Sequence, residues 1–149
     1  MQSEFYTEGS AGTKGLVPFS SQKGMDENPT YVVFNGKVGS LLGDGKLQAN
    51  TGETVRLFVG NIGPNLISSF HVIGEVFDRV YREGSLSDPN HNIQTTLIPS
   101  GAASTVEFKV DVPGDFTIVD HSIFRINKGA LGQLHVEGPE NPEILKKIQ

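Results

Sequence analysis

Two of the chain's four histidines are placed where imidazole chemistry could be built: His71, in Ser68-Ser69-Phe70-His71-Val72-Ile73-Gly74, and His121, in Ile118-Val119-Asp120-His121-Ser122. Each stands in or at the end of an apolar, β-branched stretch, away from the polar, glycine-rich loops. Imidazole binds metals and moves protons near neutral pH. Two such rings on a β scaffold point to a site, and they are also too few to complete one. Catalytic zinc-type centres take three protein ligands and keep one position open. Unless subunits pool ligands across an interface, this chain lacks a self-contained catalytic metal site.

The segments carrying these residues read as strands. Strict alternation sends Ser69, His71 and Ile73 to one face and Phe70 and Val72 to the other. Over residues 115–121, Asp115, Thr117, Val119 and His121 oppose Phe116 and Ile118. If Phe116 and Ile118 face the core, His121 points away from it, toward a surface that another chain covers. The alternative for each histidine is an ordinary structural residue near a strand end. His91, in a loop of Asp, Pro and Asn, is expected to be solvated, and His135 to sit on an exposed strand face. Asp120 either pairs with His121 or caps the turn that follows. Asp78, Arg79 and Glu83 read as a solvated rim.

Further strands are expected at 31–34, 47–49, 54–60, 68–77 (bent at Gly74), 93–98, 104–112 and 132–137, separated by turn signals such as Asn35-Gly36 and Pro113-Gly114. Residues 85–92 read as a polar loop and 122–130 as holding one helical turn. About seven or eight strands with at most one or two short helices predict an all-β, Greek-key β-sandwich. Residues 1–30, broken by five glycine or proline positions among Gly9, Gly12, Gly15, Pro18 and Gly24, read as an irregular segment packing on a domain at 31–138. Residues 139–149 form a proline-broken, weakly helical tail.

With 149 residues the chain fits one domain, and its net charge of −5 with scattered basic residues argues against a nucleic-acid partner. No apolar run approaches the roughly 18 residues of a membrane span, and no signal peptide is visible at Met1-Gln2-Ser3-Glu4. Cysteine is absent, which excludes disulfides, thiolate sites and a blue-copper electron carrier. No phosphate-binding glycine loop, nucleophile elbow or HExxH is present.

On Tyr31-Val32-Val33-Phe34-Asn35-Gly36, Gly63-Pro64-Asn65-Leu66, the two histidine segments, and Lys128-Gly129-Ala130-Leu131-Gly132, the chain resembles the second cupredoxin domain of copper-containing nitrite reductases, above all the class on the outer membrane of some Gram-negative bacteria. The resemblance runs from Gln2 to the Asn141-Pro142-Glu143-Ile144 tail. It implies a cupredoxin-like domain at 31–138 and a parent protein that is periplasmic or attached to the outer membrane. Members are homotrimers that reduce nitrite with one electron and two protons to nitric oxide and water, a step of denitrification. By resemblance, His121 is the third ligand of a type 2 copper shared with another subunit's N-terminal cupredoxin domain. His71 is the proton-relay histidine, Gln94 and Thr95 hold it by hydrogen bonds, and Ile73 is the apolar residue above the copper. The first domain, with its type 1 copper, two type 2 ligands and the aspartate that partners His71, has no counterpart here. The expectation is an excised domain with an added start methionine, or else a natural one-domain protein, inactive on nitrite by itself. The competing function is a non-catalytic β-sandwich module for trimerisation or docking.

Overall fold

The computed structural model describes residues 1–145. Eleven strands run in chain order: β1 (Gln2–Phe5), β2 (Tyr31–Phe34), β3 (Leu47–Asn50), β4 (Thr54–Gly60), β5 (Ser68–Ile73), β6 (Phe77–Arg82), β7 (Asn90–Ile93), β8 (Thr95–Ile98), β9 (Ala103–Lys109), β10 (Gly114–Asp120) and β11 (Leu131–Glu137). They form a sheet of order β3-β11-β10-β5-β8, a second of order β4-β9-β6-β7, and a separate β1-β2 pair. Only β3 on β11 is parallel; the other strand pairs are antiparallel. The chain passes repeatedly between the two large sheets, and the all-β sandwich expected from the alternation is the architecture observed.

The core follows from period-two patterning. Val106, Phe108 and Val110, Phe70 and Val72, and Phe116 and Ile118 all turn inward between the sheets. Phe70 stacks on Phe77 with ring centres 6.0 Å apart, and Phe77 meets Phe108 at 5.6 Å. Phe34 touches Phe70 edge-on. Such aromatic pairs add about 0.5–1.5 kcal/mol each beyond their area burial. Phe70 is thus fixed from below, and its neighbour His71 is presented on the opposite side of β5.

Three details differ from the sequence reading. Residues 68–77 are two strands in different sheets, because Gly74 adopts φ 97° and the chain leaves one sheet there for the other. That backbone region favours glycine, and an added Cβ would also press on Phe116 at 3.3 Å. Residues 90–93, read as the end of a loop and the start of a strand, form β7 against β6. The N-terminal segment is not wholly irregular: β1 pairs with β2 from Gln2↔Phe34 to Phe5↔Tyr31, and helix α1 occupies Ser21–Met25. The short strand ahead of the glycine- and proline-broken stretch is mostly polar, Gln2-Ser3-Glu4-Phe5, and shows no apolar alternation. These added segments are why the strands exceed seven or eight. Of the tail, residues 146–149, with the Lys146-Lys147 pair, lie outside the described residues.

The 3-10 helix Ile123–Lys128 leads from β10 back to β11 and ends on Gly129 in the left-handed region, φ 108°. A Cβ at Gly129 would meet Val33 and Val38 methyls at 2.8 Å, so β2 packs directly on this turn. That contact ties the N-terminal strand pair to the end of β10, where His121 emerges.

Candidate metal centre

Antiparallel pairing of β5 with β10 sets Val119 opposite His71 and Asp120 opposite Phe70. His121 follows one residue past β10, and its N–H donates to the Ser69 carbonyl at 2.7 Å. The two imidazoles share the outward face, their ring centres 5.3 Å apart and their planes at 74°. The expected facing is observed: Phe116 and Ile118 are in the core, and His121 is exposed. Val119, on the same outward side, is nonetheless fully buried, outside the central cluster.

β8 pairs with β5 on the other side and sets Thr95 opposite His71. The His71 Nδ1–H donates to the Gln94 carbonyl at 2.6 Å, with the Thr95 hydroxyl at 3.4 Å. A carbonyl only accepts, so the proton sits on Nδ1, and Nε2 of the neutral ring is left as the basic nitrogen. Gln94 acts here through its backbone, as any residue at that position could. Ile73, two residues along the same face, is 44% exposed, and Leu97, opposite Ser69 on the other side of His71, is 59% exposed. An apolar rim therefore borders the imidazole pair.

Asp120 is fully buried and does not pair with the His121 ring. It accepts from the Ser69 and Ser122 amides, each 3.1 Å from Oδ1, from Gln2 Nε2 at 2.8 Å, and from Arg125 Nη1 at 2.5 Å. Of the two roles open to it, capping the following turn is the one observed, with a salt bridge added. Breaking such a buried pair from one side costs about 3–5 kcal/mol. Gln2 and Arg125 escaped the sequence reading. The Gln2 link spans 118 residues and leaves no local signature, and Arg125, only five residues from Asp120, carries no apolar periodicity that marks it as a partner.

The other two histidines are elsewhere. His91, on β7 and not in a loop, has Nδ1 3.1 Å from the Asp78 carbonyl. His135, on the expected strand face, is bound by Asp115 at 2.6 Å. Arg79, read as solvated rim, reaches toward Glu107.

Imidazole nitrogens suit copper, and His121 offers one on an exposed surface. His71 keeps one ring nitrogen committed to Gln94. Among the described residues no three His, Cys, Asp or Glu side chains converge to hold a metal. The residues present fit one position of a copper site, the exposed His121 ring, and among the described residues they do not complete one.

The fold and this imidazole-bearing face define a cupredoxin-like sandwich; a multicopper oxidase shares the fold at 20% identity and TM-score 0.72. No family model matches the chain. The copper-containing nitrite reductase of Neisseria gonorrhoeae is 62% identical over 97% of this chain, and that of Cereibacter sphaeroides is 34% identical over 80%. Among solved structures, a copper nitrite reductase from Thermus scotoductus superposes over 95% of the chain with TM-score 0.79 at 31% identity. One from Nitrosomonas europaea gives 0.76 at 32%, again over 95% of this chain and 49% of its own. The chain is a homologue of part of the copper-containing nitrite reductases, spanning 37% of the length of the gonococcal relative.

Proposed function

We propose that the chain is the second cupredoxin domain of a copper nitrite reductase and supplies half of an active centre completed by a neighbouring subunit. The observation that carries this reading is the outward-facing imidazole pair, a half-buried His71 and an exposed His121 with 5.3 Å between ring centres, His71 tethered to Gln94 and the His121 ring left available. His121 would be the ligand this chain gives to a type 2 copper. When bound, that copper supplies the single electron that nitrite takes up on its way to nitric oxide and water.

The chain's own residues serve the two protons and the shape of the site. His71, held by Gln94 and Thr95 on Nδ1, keeps Nε2 free to take up a proton and pass it to bound nitrite. Ile73 offers an apolar wall that limits water and fixes how a small anion sits. The exposed Ile73, Leu97 and Phe124 then belong to a surface covered by the N-terminal domain of a neighbouring subunit in a homotrimer. The parent protein would be periplasmic or attached to the outer membrane. No helix among the described residues is long and apolar enough to cross a membrane.

The experiment is reconstitution. The chain is co-expressed with the N-terminal cupredoxin domain of the gonococcal relative, and nitric oxide formation and the copper EPR spectrum are recorded. Type 2 copper signals and turnover that need both polypeptides support the proposal. A trimer that assembles but loads no type 2 copper would favour the non-catalytic docking module instead.

A further inference from the structure

The spacing of the two imidazoles is not set by the imidazoles. His121 lies beyond the last residue of β10, and its ring meets the edge or face of His71 alone among the described contacts. Its backbone is held by one bond, from its N–H to the Ser69 carbonyl. The same Ser69 residue donates its own N–H to Asp120 Oδ1. Asp120 and His121 therefore grip both polar groups of a single residue that stands two positions before His71.

Asp120 is itself held from outside the sheet. Arg125, on the 3-10 helix after β10, donates Nη1 to Asp120 Oδ2 at 2.5 Å and to the Ile67 carbonyl at 2.6 Å. One guanidinium thus joins the entry of β5 to the exit of β10. Gln2, fully buried on β1, donates to the same Oδ2 and accepts from the Ser68 hydroxyl at 2.7 Å. Two segments distant in sequence, at Gln2 and at Ser69, meet the local Ser122 and Arg125 donors on one buried carboxylate, and together they tie residues 67–69 to residues 120–122.

We infer that Asp120 is a positioning residue for this site: its carboxylate, clamped by Arg125 and Gln2, locks the end of β10 to Ser69 and so fixes how far His121 stands from His71. The lock acts through the backbone, which explains why Asp120 makes no bond to either ring. Asp120→Asn keeps the size and the oxygen facing the Ser69 and Ser122 amides. It turns an NH2 group toward the Arg125 and Gln2 donors, which have no acceptor left there. Arg125→Lys keeps the positive charge but replaces the planar Nη1 donor, which bonds Asp120 and the Ile67 carbonyl together, by a rotatable ammonium on a shorter stem.

The consequence for copper rests on the proposed ligand role of His121, whereas the spacing does not. The test therefore has two parts. In the isolated, isotope-labelled chain, NOEs between the ring protons of His71 and His121 are expected in the wild type. They should be lost in Asp120→Asn and weakened in Arg125→Lys, with circular dichroism unchanged. Glu107→Gln, which alters a buried acid on the other sheet, should lower stability and leave those NOEs intact. In the reconstituted protein, Asp120→Asn should weaken type 2 copper loading by roughly 10-fold or more and change the EPR hyperfine splitting. If Asp120→Asn does not fold, Arg125→Lys decides. A folded variant with unaltered ring NOEs overturns the inference. NOEs lost on substitution, in a protein whose wild type takes no copper, would uphold the lock and sink the ligand role instead.

Discussion

On the outer face of β4, β9 and β6, Arg56 and Arg79 flank Glu107 in one cross-strand row and close over it, leaving it 4% exposed. On the outer face of β10, β5 and β8, His71 stands between Val119 and Thr95, and His121, one residue past β10, approaches it from the Ser69 end with the apolar Ile73 and Leu97 bare on that face. The first face satisfies its buried charge from within the chain. Arg56 binds Glu107 through both Nε, at 2.6 Å, and Nη2, at 2.5 Å. The second face holds one ring nitrogen of His71 and leaves the rest of its polar chemistry, and its apolar rim, for something else to complete. Identical strand geometry produces both faces, so the difference lies in which side chains face each other across the ladder.

Four measurements would break or sharpen this contrast. The largest effect is expected for His121→Ala in the reconstituted enzyme: type 2 copper and nitrite turnover are lost together, read by EPR and nitric oxide release, while the melting temperature of the isolated chain hardly moves. His71→Ala should retain the copper signal but slow turnover by about 100-fold, the usual worth of a positioned proton donor. If both variants match wild type, the open face has no catalytic role.

On the closed face, Glu107→Ala should cost about 2 kcal/mol of stability in urea unfolding, the scale of hydrogen bonds to a charged group, with copper loading unaffected. Burial pushes the Glu107 carboxyl up, but the Arg56 bond and charge, then those of Arg79, outweigh it and hold it below the usual glutamate value. A depressed folded pKa means stabilisation that is present above the unfolded value, about 4.3, and fades as pH falls through the folded one. The loss on Glu107→Ala should therefore shrink in strongly acidic buffer.

The smallest effect is expected at Glu75, in the turn between the two faces. Burial first, then Asp111 and Asp78, raise its carboxyl to about 7. A raised folded pKa disfavours the ionised native state, so stability declines as pH climbs from the ordinary glutamate range toward 7. Glu75→Gln should raise the melting temperature slightly at pH 8 and leave it unchanged at pH 4. Equal shifts at both values would show that the carboxyl titrates normally.

Much of the site was legible because alternation is a local property. Once Phe70 and Val72 are recognised as core residues, His71 and Ile73 must face outward, and Phe116 and Ile118 do the same for His121. The break at Gly74 was visible as a bend but not as a change of sheet, since glycine permits either. β1 was missed because a four-residue strand carries little periodicity and owes its place to β2.

By itself, then, the sequence determined which side chains alternate outward around the two histidines, and that no thiolate metal site exists. These follow from residue type and from a two-residue period, which need no partner strand. Only the tertiary structure decided that β5 lies beside β10 in the register that places the two rings 5.3 Å apart. It also decided that Asp120 spends its charge on Arg125 and Gln2 and not on its neighbour His121. Pairing between distant segments is chosen by the burial of the whole core and by the need to satisfy each buried polar group, and no short stretch of chain encodes either.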